Sequence, residues 1–523
     1  MRQVLLVLIL CGWFFEAKSQ QHTSKGKEFY LAFMENLDLA FNGPPIFTFM
    51  ISAEHATQGT ISFPGTGYSQ SFSLYAGELI EPQLPTGIAY PQGDEDISNL
   101  GIKITADDSI NVYAIHYRLY FSDASLVLPT SELGDFYRVI TKADEAGLSP
   151  AELVVEATQD NTQIEITPSE VTVSFRPAGI PFYITLNEGE VFQLQGFNGL
   201  TGTTIRSTDP NKKIAVFSGA RQANVYCTGA DSHLWDEDYP VALWGNDFGL
   251  VSFRGQGGDP FRFLAAYDNT TIEFGSHTKT LSAGIWYDTL FDGAKIIHSS
   301  NKIMVAQFDK SHACNASING DPCMLILTPL SYLRYKAIFS TSNSFPDFSD
   351  FVNIIIPKAS FSTIMLDSDH ISSIFDTIPG NSEYLYAKLN IVEQRHVLES
   401  SGGFNAFAYG FKFYDEYAYH LGYDFAPGNV GIGDIPNGQS NGLTVNVYPD
   451  PASGSFLFSV SGDDRYSGKY ELSVYDVLGK QINSFSFSGK KTTFQLPDVN
   501  GIYFYALKKN ALIAASGKIL NEK

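Results

Sequence analysis

A strand-and-turn pattern that returns in fixed order constrains this chain more than any other feature. Asp160-Asn161-Thr162-Gln163-Ile164-Glu165-Ile166 recurs as Asp268-Asn269-Thr270-Thr271-Ile272-Glu273-Phe274, with a weaker copy at Gln58-Gly59-Thr60-Ile61-Ser62-Phe63. Asp-Asn-Thr favours a turn, and the alternation behind it favours a strand with one buried face. A Leu-x-x-Gly element follows each copy, ending at Gly77, Gly189 and Gly284, where glycine is expected to supply the positive φ of a turn. Each set then continues as strand, polar turn and apolar strand, over 104–112, 205–216 and 297–305. The openings also agree: Gly26-Lys27-Glu28-Phe29-Tyr30, Gly134-Asp135-Phe136-Tyr137 and Gly245-Asn246-Asp247-Phe248, with a more diverged unit starting at Tyr332. Repeats of roughly 90–110 residues hold the seven or eight strands of one β-sandwich. The expected modules are therefore 25–125, 126–238, 239–325 and 326–426. Propeller-like blades of four strands are the alternative arrangement.

Composition agrees with an all-β chain. Only 17% of residues are charged while 14% are aromatic, and 45 glycines serve turns, a mixture that suits strands over long surface helices. The net charge of −22 repels phosphate, so nucleic acid and anionic lipid are poor partners. No cofactor is expected; Ca²⁺ on exposed carboxylates, such as Asp94-Glu95-Asp96 or Asp107-Asp108, is the alternative.

Residues 1–19 read as a signal peptide. Arg2 gives the positive start, the apolar run from Val4 to Phe15 is too short for a membrane span, and Ala17-Lys18-Ser19 places small residues for cleavage between Ser19 and Gln20. No later segment is long and apolar enough to cross a bilayer as a helix, so the chain is not expected to be an integral membrane protein. Three cysteines follow: Cys227, Cys314 and Cys323. Outside the cytoplasm an odd count predicts one disulfide and one free thiol or an intermolecular bridge. Cys314 with Cys323 closes most easily across a Gly- and Pro-containing loop, and Cys227 with Cys314 is the rival pairing. No Cys-x₂-Cys or His spacing completes a tetrahedral metal site.

Residues 427–442 are rich in Gly and Asn, carry almost no side chains to bury, and read as a linker. Beyond it, 443–523 carries nine Lys/Arg against seven Asp/Glu, a break from the acidic body that marks a separate domain. Its landmarks are Pro449, Pro451 and Gly454, then Asp476, Gly479 and Lys480, and finally Gly501, Tyr503 and Lys518. Strands between such turns make a small Ig-like sandwich. In order and spacing the tail resembles the type A C-terminal sorting domain of the type IX secretion system of Bacteroidetes, with Asp450 where that family has Asn. The resemblance implies periplasmic transit, handling by the type IX machinery, and delivery to the outer surface or beyond.

The body resembles the N-terminal domain of the IgGFc-binding protein family, which also occurs in secreted bacterial proteins. The matching stretches include 26–34, 126–130, 157–162, 214–219, 231–234, Cys314-Asn315 and Gly320-Asp321-Pro322. The resemblance implies a secreted β-rich interaction scaffold; Fc binding does not carry over safely.

The chemically densest segment is Asp231-Ser232-His233-Leu234-Trp235-Asp236-Glu237-Asp238. One reading is a ligand or Ca²⁺ loop, with Trp235 free to stack on a sugar, or a glycosidase-like carboxylate pair. The plainer reading is a solvated inter-module loop in which Trp235 and Trp244 seal the joint. His116, His298 and His312 have no partner at metal or catalytic spacing, and no nucleophile elbow, zinc-protease or phosphate-loop motif occurs. The expectation is therefore a non-enzymatic adhesion protein, secreted or surface-attached, whose ligand is a glycan, a mucin-like molecule or a host protein. A secreted carbohydrate-active hydrolase and a self-assembling surface or matrix protein are the alternatives.

Overall fold

The computed structural model describes residues 22–425, apart from 40, 276 and 342–346, and the tail strands lying between 443 and 521. Strands dominate, and among the described residues the only helical elements are short 3-10 turns. The chain divides into two compact units, one being His22–Ala426; the tail strands belong to the other.

Within the body, one long strand organises each of three sheets. Ile102–Tyr117 pairs along its first half with Gly26–Leu31 and Thr57–Phe63, and along its second half with Ile46–Ala53 and Asp123–Val127. Ala294–Phe308 and Arg395–Lys412 play the same part in the third and fourth modules. A strand of 15 to 18 residues must twist, so its halves join two differently oriented sets of neighbours and the sheet curls. In the second module the corresponding strand is broken by the turn after Ser207, and Thr204–Ser207 and Ile214–Ala223 lie in separate sheets of four and five strands. Module edges are not clean. The first sheet runs through Val127, and Ile97–Ser98 adds to the second module's sheet.

The repeated turns have one atomic explanation. Asn161 and Asn269 sit at φ 54° and 57°, and the threonine after each bonds back to a carbonyl three residues earlier at 2.7 Å. The preceding Asp160 and Asp268 accept the backbone N–H of Glu188 and Ala283, within the Leu-x-x-Gly turns. There Gly77, Gly189 and Gly284 hold φ of 75°, 74° and 76°.

One late strand of each module lies innermost. Asp123–Val127, Ser232–Glu237, Met324–Leu327 and Asp415–His420 touch in a closed cycle, first to second, second to third, third to fourth and fourth to first. Every residue of these four strands is buried. The modules are thus arranged radially about a common centre, each contributing one inner strand.

In the tail, Leu443–Tyr448, Ser455–Gly462 and Lys491–Gln495 form one antiparallel sheet, and Lys469–Tyr475, Gln481–Ser488, Gly501–Lys509 and Leu512–Asn521 form another. Leu472, Val474, Phe494, Tyr503 and Leu507 are buried, as a small two-sheet domain requires.

Candidate functional site

The acidic segment singled out in the sequence is not a loop. Ser232–Glu237 is the second inner strand, and Trp235, Asp236, Glu237 and Asp238 are all buried, as is His233; only Asp231 stays partly exposed. This overturns both the solvated-loop reading and the picture of Trp235 open to a sugar. Trp235 stacks on Phe217 with ring centroids 5.3 Å apart and donates its indole N–H to the Ala32 carbonyl at 3.2 Å.

The carboxyls face buried backbone N–H groups, most of them on or next to neighbouring inner strands. Asp236 accepts the Ile326 N–H at 2.6 Å on one oxygen, and on the other the Ser125 hydroxyl at 2.7 Å. Glu237 accepts the Leu128 N–H at 2.6 Å and Asp238 that of Ile140 at 3.1 Å. On the first inner strand, Asp123 accepts from both Trp235 and Met324. Side-chain carboxyls thereby satisfy inner-strand N–H groups across the ring, the accounting that buried backbone demands. Burial pushes Asp236 up to about 7 and lifts Asp123, Glu237 and Asp238 well above the usual carboxylate range.

The turns that enter the inner strands meet as one rim. Residues 118–122, 224–231, 309–323 and 413–414 each link a long or outer strand to an inner one. The Tyr120 N–H bonds Asp415 at 3.3 Å; Gly320 donates to the Lys412 carbonyl at 2.8 Å; Val225 and Ser311 exchange two bonds. The His312 ring packs on Tyr414 at 4.0 Å. A disulfide joins Cys227 and Cys314, with Cα atoms 6.4 Å apart, and Cys323 is a buried free thiol. This replaces the Cys314–Cys323 pairing expected first: Cys323 enters the third inner strand beneath the rim, whereas Cys227 and Cys314 lie on two adjoining turns.

Three rim tyrosines, Tyr120, Tyr226 and Tyr414, hold φ of 69°, 69° and 57°. Such angles are costly for a bulky side chain and persist only where the surroundings enforce them. Around them Phe41, Tyr226, Ile318 and Phe413 are between 53% and 77% exposed. Sequence reasoning missed this rim. The available signal was a tyrosine within six residues before the inner strand in three of the four modules, at Tyr120, Tyr226 and Tyr414.

Other expected residues fall elsewhere. His116, read as unpartnered, packs edge-on against His233 at 4.5 Å, and burial holds both rings below the usual histidine range, His233 at about 4. Asp94 accepts the N–H groups of Gln195 and Ser174, and Glu95 forms a two-pronged ion pair with Arg176. Among the described residues no three His, Cys, Asp or Glu side chains are arranged to hold a metal ion. Gly501 opens its strand opposite Asn521, Tyr503 is buried, and Lys518 pairs with Phe504. Ser19, Gln20, the 427–442 linker, Pro449, Pro451, Gly454, Asp476, Gly479 and Lys480 lie outside the described residues.

Residues 446–521 match the secretion system C-terminal sorting domain, so the chain carries an export tail. The body is 21% identical over 417 residues to the human IgGFc-binding protein, covering 77% of this chain and 8% of that much longer one. Among solved structures, dimeric latent PorU from Porphyromonas gingivalis aligns over 79% of this chain and 32% of its own, at 10% identity and a TM-score of 0.13. Elastase-activated Escherichia coli alpha-2-macroglobulin covers 95% and 53%, at 8% and a TM-score of 0.14. Neither superposition is close enough to inform the fold. The family described as IgGFc binding protein matches residues 123–410, from the first inner strand into the last long strand, and the chain belongs to that family.

Proposed function

We propose that this is type IX cargo that acts outside the cell as a binding protein, engaging an extracellular ligand through the rim at one end of the radial body. The observation that carries the reading is the set of exposed aromatic residues on turns pinned by a disulfide, stacked rings and tyrosines held at positive φ. Rings fixed in place lose little entropy on binding, which is what a recognition surface needs. The buried carboxyls, by contrast, accept backbone N–H groups and do not flank a cleft, which favours binding over hydrolysis. The ligand classes are those expected from the sequence: a glycan, a mucin-like molecule or a host protein. Fc is no part of the proposal.

The test is an array of glycans and extracellular proteins probed with the secreted protein and with a Tyr226→Ala/Phe413→Ala variant. Binding by the parent and loss in the variant is expected; a protein that captures nothing refutes the reading. For the export half, deletion of 443–523 is expected to leave the chain in the periplasm. Normal surface appearance of that truncation would refute the sorting role.

A further inference from the structure

Two arginines differ from every other one in the body. Of the nine between residues 22 and 426, four pair with carboxylates and three bond backbone carbonyls. The side chains of the other two, Arg138 and Arg206, make neither an ion pair nor a hydrogen bond among the described residues. The Arg138 Nε is buried and still lacks an acceptor.

The two are neighbours. Phe136–Arg138 pairs antiparallel with Thr204–Ser207, setting Phe136 opposite Arg206 and Arg138 opposite Thr204. Tyr137 and Ile205 between them are fully buried, so Phe136, Arg138, Thr204 and Arg206 share the outer face of the sheet. Both guanidinium groups reach the Phe136 ring, Arg206 at 4.1 Å from its centroid and Arg138 at 5.7 Å. Among the described residues no other ring carries two cations; Lys279 and Lys295 lie singly over Tyr287 and Phe291.

Two acids stand near, and neither bonds a guanidinium. Glu165 lies opposite Arg206 on the next strand, Thr162–Thr167, but takes the Tyr183 hydroxyl. Asp268 attracts Arg138 from the following module, while one of its oxygens holds the Ala283 N–H. Burial lowers Arg138 from its ordinary value, Asp268 opposes that shift, and repulsion from Arg206 adds to it. Two like charges are thus set side by side in a chain of net charge −22, with their N–H forks open. A planar or tetrahedral oxyanion supplies the missing acceptors to both.

The surroundings narrow the ligand further. Thr167 stands opposite Thr204, and Tyr183 opposite Glu165, so the same outer face adds hydroxyls and a ring that is 56% exposed. Thr204–Ser207 is paired on both sides, which leaves no strand edge there for a peptide to extend. Hydroxyls beside a ring suit the polar and C–H faces of a sugar.

We propose that this outer face of the second module binds an acidic glycan, Arg138 and Arg206 gripping its carboxylate or sulfate group. The sheet carries no inner strand, so the site is distinct from the rim and does not rest on the reading given to the rim.

Hyaluronan, dextran sulfate and unmodified dextran oligosaccharides are the probes, titrated into the secreted protein with oligo-glutamate as the peptide control. Binding of hyaluronan, dextran sulfate or both is expected, with none of dextran; the first names a carboxylate, the second a sulfate. Arg138→Gln/Arg206→Gln should weaken that binding at least about tenfold, through loss of charged hydrogen bonds. Arg206→Gln alone, at an exposed position, should weaken it about threefold and melt with the parent. Tyr226→Ala/Phe413→Ala, at the rim, should bind these probes as the parent does. Equal affinity of parent and arginine variants would overturn the proposal, whether or not the double variant melts lower. So would binding of neither acidic probe, equal binding of dextran, a preference for oligo-glutamate, or loss of binding in the rim variant.

Discussion

Three glycines show how little freedom the module openings have. A Cβ on Gly26 would lie 2.3 Å from the Pro129 Cβ, on Gly134 2.6 Å from that of Pro240, and on Gly245 2.4 Å from that of Pro329. None of the three has a positive φ, so the constraint is close approach, not backbone strain. Each opening glycine sits under a proline just past an inner strand, which fastens the start of a module to its end. Gly134→Ala and Gly245→Ala should each lower stability by about 1–3 kcal/mol, the usual result of overpacking. The check is the urea midpoint of the purified protein; unchanged midpoints would show that the prolines yield without cost. The opening Gly was legible as a repeated residue, but its reason was not, because the proline partner lies roughly 85 to 105 residues further on and only the folded sheet brings them together.

At the scale of elements, turns were easier to read than inner strands. Asp-Asn-Thr and Leu-x-x-Gly are local: the asparagine, the threonine and the glycine perform their parts within a few residues, so composition alone locates them. Ser232–Glu237 defeats the same logic. Acids in a short run ordinarily mean solvent, yet here they replace ladder partners between inner strands of different modules, a use that only tertiary placement creates. The cysteines misled for a related reason, since sequence proximity favoured Cys314 with Cys323 while the fold placed Cys227 beside Cys314. The disulfide closes a separation of 87 residues, and Cys227→Ser/Cys314→Ser should cost about 2–4 kcal/mol. Cys323→Ala should leave the bridge intact. Non-reducing peptide mapping of that variant decides it: a fragment still linking the peptides of Cys227 and Cys314 is expected, and its absence would reassign the bond.

For the whole molecule, the radial centre sets a pH dependence opposite to ordinary acid denaturation. Burial raises Asp236, Asp259 and Asp415 to about 7 and lifts Asp123, Glu237, Asp238, Asp309 and Glu416 well above the usual carboxylate range. A carboxyl with a raised pKa contributes stability that is fully present below the unfolded value near 4 and is lost as pH climbs through the folded value. Buried histidines work the other way. His233 is lowered to about 4, His420 to about 3, and His116 is also lowered, so their contribution is complete above about 6.5 and shrinks only on acidification. The two sets oppose each other below about pH 6.5, but between about 6.5 and 8.5 only the carboxyls change. In that window the melting temperature should fall as pH rises, each acid that must ionise contributing up to about 1 kcal/mol per pH unit before the site relaxes. Asp236→Asn, which cannot ionise, should make the slope shallower. A melting temperature that is flat or rises across the window would mean that the inner-strand acids are already charged in the folded body, with their compensation coming from a source other than a shared proton.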